Sequence, residues 1–165
     1  MLKHVLIPLD GSPLAEAALV EARQVVSKST QITLLAVVSP PSMAIYDYEL
    51  SKALAVSYEC RLAEAITRAK NYLERVSTDL RIEGFRVDVT AKFGDDPALL
   101  INKTAHRLQA DAIIMSTHGR SGMRRWVFGS VTGNVLSSAR CPVFVVPSRV
   151  NERVFAEETS EINYG

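Results

Sequence analysis

Five short apolar runs alternate with four helix-like segments along this 165-residue chain, and that alternation constrains the fold more tightly than any single motif. The runs are Lys3–Leu9, Ile32–Val38, Arg86–Lys92, Ala112–Met115 and Val143–Val146, the last bracketed by Pro142 and Pro147. Between them, apolar residues recur at helical spacing. Pro13 opens the first helix, with Leu14, Ala17, Ala18, Ala22 and Val25 on one face and Ser12 placed as its N-cap. Leu54, Tyr58, Leu62, Ile66, Ala69, Leu73, Val76 and Leu80 predict a long amphipathic helix ending between Arg81 and Gly84. A third helix is expected from Asp95 or Asp96, with Pro97 in its first turn, and a fourth from Ser130 to Ala139. Each connection is long enough to return the chain to the same end of the sheet, so the strands should run parallel with helices on both faces.

In such an open sheet, ligands gather at the carboxyl ends of the strands where the strand order reverses, which directs attention to the loops after the first and fourth strands. The first carries Pro8-Leu9-Asp10-Gly11-Ser12. Asp10 has two roles open to it: accepting hydrogen bonds from a ligand, or bonding the backbone of its own turn. The second loop runs from Ser116 through Gly119, Arg120 and Gly122 to Gly129 and Ser130. Glycines between a strand and a helix let backbone N–H groups approach an anion, and the helix start adds its unpaired donors and dipole. A nucleotide is therefore expected, although such a turn can also be a tight connection without a ligand. The loop lacks the Gly-Lys-Ser/Thr ending of a Walker A motif, and no glycine triplet of the dinucleotide type follows the first strand.

Composition removes other classes of partner. Nineteen basic residues against eighteen acidic ones leave a net charge of +1, with no basic stripe to track a phosphate backbone, so nucleic acid is not expected. No apolar run approaches the length of a membrane span, and the chain is expected in the cytoplasm. Cys60 and Cys141 have neither metal nor redox spacing and are expected to be buried small residues. A stretch from Pro41 to Ser57, rich in Tyr, Met and Ala, has the length and composition of a lid.

Taken together, Ile7-Pro8-Leu9-Asp10-Gly11-Ser12, Met115-Ser116-Thr117-His118-Gly119-Arg120, Gly129-Ser130-Val131-Thr132 and Cys141-Pro142-Val143-Phe144-Val145-Val146-Pro147 resemble the ATP-binding branch of the universal stress protein family. Its signature is a glycine, two residues, a glycine, nine residues, then a glycine followed by Ser or Thr. This chain departs only at the first position, where Ser116 stands. A serine there would narrow the pocket if its backbone required positive φ. The resemblance implies an open, doubly wound, Rossmann-like five-stranded parallel sheet of order 3-2-1-4-5, spanning a domain of residues 1–147 followed by a polar tail, 148–165.

It further implies an adenine nucleotide (ATP, or ADP or AMP), with Mg²⁺ held through the phosphates and not by protein ligands. Asp10 would sit near the ribose, the Val37 backbone and Met115 near adenine, and Gly119, Gly129 and Ser130 in the phosphate cradle; the backbone N–H of Val131 and the hydroxyl of Thr132 would complete the donors. Pro8, Leu9, Ser116, Arg120 and Gly122 belong to the same loops. A homodimer through the last strand is implied as well. His118 has no partner identifiable from sequence, no catalytic residue is assigned, and binding with little or no hydrolysis is expected. Two other functions remain open: a dimeric interaction module without nucleotide, and an ATP-using enzyme of related topology, for which neither a His-x-x-His nor a Ser-Gly-Gly loop is present near strand one. A response-regulator receiver is disfavoured, because Asp10 stands without an acidic pair.

Overall fold

A computed structural model describes residues 2–40, 48–117 and 128–147, and for 48–57 the backbone alone. Nine elements follow in the order β1 (His4–Pro8), α1 (Pro13–Val25), β2 (Gln31–Val38), α2 (Tyr48–Ile82), β3 (Arg86–Phe93), α3 (Pro97–Arg107), β4 (Ala112–Ser116), α4 (Ser130–Ser138) and β5 (Val143–Val146). The strands form one sheet of order β3-β2-β1-β4-β5. Every pairing is parallel, as the long crossovers require.

Both faces of the central strand are covered. Val5, Leu6 and Ile7 of β1 have no exposed surface; Val5 and Ile7 pack among Ala18, Leu19, Leu73 and Leu80 of α1 and α2. Leu6 faces the other way, among Ala98, Ile101, Ala105 and Val135 of α3 and α4. Continuous rather than alternating apolarity in β1, β2 and β4 is the signature of strands buried on both sides. The edges differ: β3 alternates exposed Arg86 and Asp88 with buried Val87, whereas β5 leaves Phe144 43% exposed.

Helix ends are set by local chemistry. At the close of α2, Gly84 adopts φ +90° and the Phe85 N–H donates to the Leu80 carbonyl at 3.0 Å, a left-handed stop that favours glycine. Below it, Arg23 is bonded to both carboxylate oxygens of Glu83, at 3.0 and 2.9 Å. This ties α1 to the turn after α2.

Residues 48–57 of the segment read as a lid form the first turns of α2, and its remainder, 41–47, lies outside the described residues. The expected burial of both cysteines is corrected. Cys60 is exposed, and Cys141 is half-buried. Cys60 falls on the solvent side of α2 because it stands about three and a half turns before Leu73, roughly opposite the buried stripe through Leu73, Ser77 and Leu80.

Candidate functional site

β1 is paired to β2 on one side and to β4 on the other, so the strand order reverses at its carboxyl end. A cleft of about 800 Å³ opens there, within the roughly 300–1,000 Å³ common for small-molecule pockets. Its walls include Pro8, Leu9, Asp10, Val37, Met115, Ser116, Gly129, Ser130, Val131 and Thr132. All the described candidates from the sequence thus converge on one space. Gly119, Arg120 and Gly122, together with His118, lie outside the described residues.

The loop after β1 is held by a relay of hydrogen bonds. The Leu9 N–H donates to the Leu35 carbonyl at 2.8 Å, extending the sheet by one bond. Gly11 then takes φ +83°, a conformation that disfavours any side chain. Asp10 Oδ1 accepts from the Ser12 N–H at 2.9 Å and from the Ser12 hydroxyl at 2.6 Å. In turn Ser12 Oγ accepts from the Ala15 N–H at 3.1 Å, capping α1. Asp10 therefore performs the structural job through Oδ1, and among the described residues Oδ2 has no partner. Its carboxylate is exposed at the cleft.

On the neighbouring strand, backbone direction matters more than side chain. Leu35 points its carbonyl toward β1, and Val38 points its carbonyl to the Gly94 N–H on the β3 side at 3.1 Å. Main-chain groups alternate along a parallel strand, so Val37 directs its N–H and C=O toward β1. Pairing with β1 stops at Pro8↔Leu35. The Val37 backbone edge consequently opens on the cleft as a donor and acceptor side by side.

Ser116 ends β4 in strand geometry and is buried. Among the described residues, Gln109 alone of the non-glycine residues has positive φ. The first signature position thus makes no demand for glycine here. Gly129 is the N-cap of α4, with φ −54° and no side-chain capping bond. Its N–H donates to the Thr117 carbonyl at 3.0 Å, and its carbonyl accepts from Gly133 at 2.9 Å. The Ser130, Val131 and Thr132 N–H groups, which no helix can pair internally, have no partner among the described residues.

One expected donor is removed. The Thr132 hydroxyl donates to the Ser116 carbonyl at 3.1 Å, with both residues buried. A hydroxyl drawn back against the strand end does not face a ligand.

Sequence reasoning missed the wall supplied by α2. Ala65, Arg68, Ala69 and Tyr72 fall on one face of the helix, at positions i, i+3, i+4 and i+7, and line the cleft together. The Tyr72 hydroxyl donates to Glu16 Oε1 at 3.0 Å. Burial, that hydrogen bond and the carboxylates of Glu16 and Asp10 push its pKa above the usual phenol value, against the opposing charge of Arg75. It stays protonated at any physiological pH. Periodicity marked Ala69 as inward-facing but carried no information on which turn of a 35-residue helix overlies the strand ends. No group of His, Cys, Asp and Glu among the described residues is arranged to hold a metal ion.

Known proteins share this architecture. A candidate universal stress protein of Staphylococcus aureus strain USA300 is 29% identical over 145 residues, covering 87% of this chain and 83% of the relative. The solved structure of hypothetical protein MJ0577 superposes with a TM-score of 0.76 at 29% identity, covering 90% of this chain and 98% of that one. More distant in sequence are a universal stress protein family protein from Arabidopsis thaliana with AMP bound, with a TM-score of 0.60, 17% identity and coverage of 90% and 93%, and a universal stress protein in complex with cAMP, with a TM-score of 0.56, 16% identity and coverage of 89% and 98%. The model of the universal stress protein family matches residues 1–147, from the first strand through the last, and the chain belongs to that family.

Proposed function

We propose that the cleft binds an adenine nucleotide, ATP with Mg²⁺ coordinated through its phosphates, and that the protein acts in the cytoplasm as a nucleotide-dependent switch or interaction module with little or no turnover. One observation carries this reading: the residues of the first turn of α4, whose three N–H groups have no partner among the described residues, line the same cleft as the open Val37 backbone edge. An amide edge presenting donor and acceptor side by side complements the N1 and exocyclic amine of adenine. Unpaired helix-start amides and the dipole behind them favour phosphate. Asp10 Oδ2 is left to accept from a ribose hydroxyl. Proteins of the same fold with AMP or cAMP bound support an adenine nucleotide.

The described residues favour slow turnover. Asp10 is tied to Ser12 through Oδ1 and its Oδ2 is assigned to the ribose, while Tyr72 is held protonated, so neither is placed as a general base at the phosphates. Titration calorimetry of the full chain with Mg·ATP, alongside a phosphate-release assay, tests the reading. Saturable binding without sustained release supports it; absence of binding leaves the interaction module, and vigorous release reinstates the enzyme.

The proposal includes a homodimer through β5. This strand is at the edge of the sheet, and its Phe144 side chain is exposed, an arrangement that invites strand pairing. Val145→Lys should give monomers or insoluble protein, whereas an unmodified chain that scatters as an 18.1 kDa particle would rule the dimer out.

A further inference from the structure

We infer that Thr132 is a positioning residue, whose inward-held hydroxyl aims the first turn of α4 at a bound phosphate without touching it. The inference rests on the nucleotide reading above. α4 is attached to the end of β4 at two points one turn apart. The Gly129 N–H donates to the Thr117 carbonyl at 3.0 Å, and the Thr132 hydroxyl to the Ser116 carbonyl at 3.1 Å. Either bond alone would let the turn pivot about its partner. Both together fix its direction, and hence that of the Ser130, Val131 and Thr132 N–H groups between them. The latch is out of water, with Thr132 4% and Ser116 7% exposed, so solvent does not compete for it. Its anchor is itself fixed, since the Thr117 N–H donates to the Val146 carbonyl at the end of β5 at 2.9 Å.

Nothing in this arrangement touches the Val37 edge, so losing the latch should weaken phosphate recognition and spare adenine recognition. In the full-length protein, Thr132→Val keeps the shape and removes the donor, while Thr132→Ser keeps the donor. Two measurements are made: amide hydrogen exchange at Gly129 and Gly133 without nucleotide, and calorimetric affinity for Mg·ATP and for adenosine. The valine variant should exchange faster at both amides and bind Mg·ATP about five- to tenfold more weakly, the usual worth of one hydrogen bond, with adenosine unchanged. The serine variant should restore both. Unchanged ATP affinity in the valine variant overturns the inference, as does weaker ATP binding with wild-type exchange, which would make the hydroxyl a direct ligand. Equal weakening of ATP and adenosine overturns it too, by reducing Thr132 to a general support of the fold. Should the valine variant not fold, Thr132→Ala carries the same comparison. If the unmodified protein binds neither compound, the nucleotide reading fails, while the exchange measurement still decides whether the latch orders the turn.

Discussion

The starts of α1 and α3 differ from the start of α4 in what satisfies their backbone donors. Ser12 accepts from the Ala15 N–H and Asp96 from the Leu99 N–H, so α1 and α3 are each capped by their own side chain and followed by proline. α4 begins at Gly129 with no side-chain cap. Capping with Ser or Asp commonly contributes about 1 kcal/mol over alanine. A fold concerned with stability alone would place the same residues in all three positions. Where the helix start borders the cleft, no described residue takes up these donors.

Making α4 resemble α3 is the sharpest way to break that contrast. Gly129→Asp fits the local backbone, whose φ of −54° suits any residue, and a Cβ there would meet the Thr117 carbonyl at an ordinary 3.4 Å. The new carboxylate should bond the first-turn N–H groups and raise stability by about 0.5 kcal/mol, while repelling phosphate and reducing Mg·ATP affinity by about a hundredfold or more. Calorimetry and thermal melting read the two effects, which should run in opposite directions. A variant that binds ATP normally would mean that phosphate lies elsewhere.

The reverse experiment is Asp96→Ala, which strips the cap from α3. Loss of about 1 kcal/mol in denaturant unfolding is expected, with ATP affinity little altered. Between the two lies Gly129→Ala, for which the protein itself has room. Stability should change little, and a fall in affinity of about tenfold would report a ligand approaching the backbone closely. The smallest effect concerns the far end of the sheet. Asp111 accepts from the Lys3 and His4 N–H groups at 2.6 and 2.9 Å, and these bonds hold its carboxyl below the usual range. A depressed carboxyl contributes stability above its unfolded pKa and loses it as pH falls through the folded one. Acid unfolding below about pH 4 should therefore be gentler in Asp111→Asn, while nucleotide affinity at neutral pH stays the same.

The contrast between helix starts also separates what the sequence discloses from what it hides. Ser12-Pro13 and Asp96-Pro97 are local signals and were legible, as were the strands, whose apolar runs reflect burial on both faces. Convergence of Asp10, Val37 and Gly129 on one cleft follows from strand order, and is readable once the sheet is taken as parallel. The direction of the Thr132 hydroxyl was not readable, because the choice between a ligand and the Ser116 carbonyl is made by tertiary packing. Arg68 and Tyr72 were missed for a similar reason: helical periodicity gives the face of α2, not the height at which it passes the strand ends. In the segment 41–57 read as a lid, the helical pattern of α2 extends back to Tyr48, earlier than the periodicity from Leu54 indicated.

The central claim is that the uncapped start of α4 receives the phosphates of an adenine nucleotide, and amide NMR shifts test it most directly. On titration with Mg·ATP, the Ser130, Val131 and Thr132 N–H signals should move together, whereas adenosine should shift Val37 and leave those three in place. The Leu99 N–H, already bonded to Asp96, should respond to neither. Saturating Mg·ATP that leaves the three α4 amides unmoved, or adenosine that moves them equally, would contradict the account.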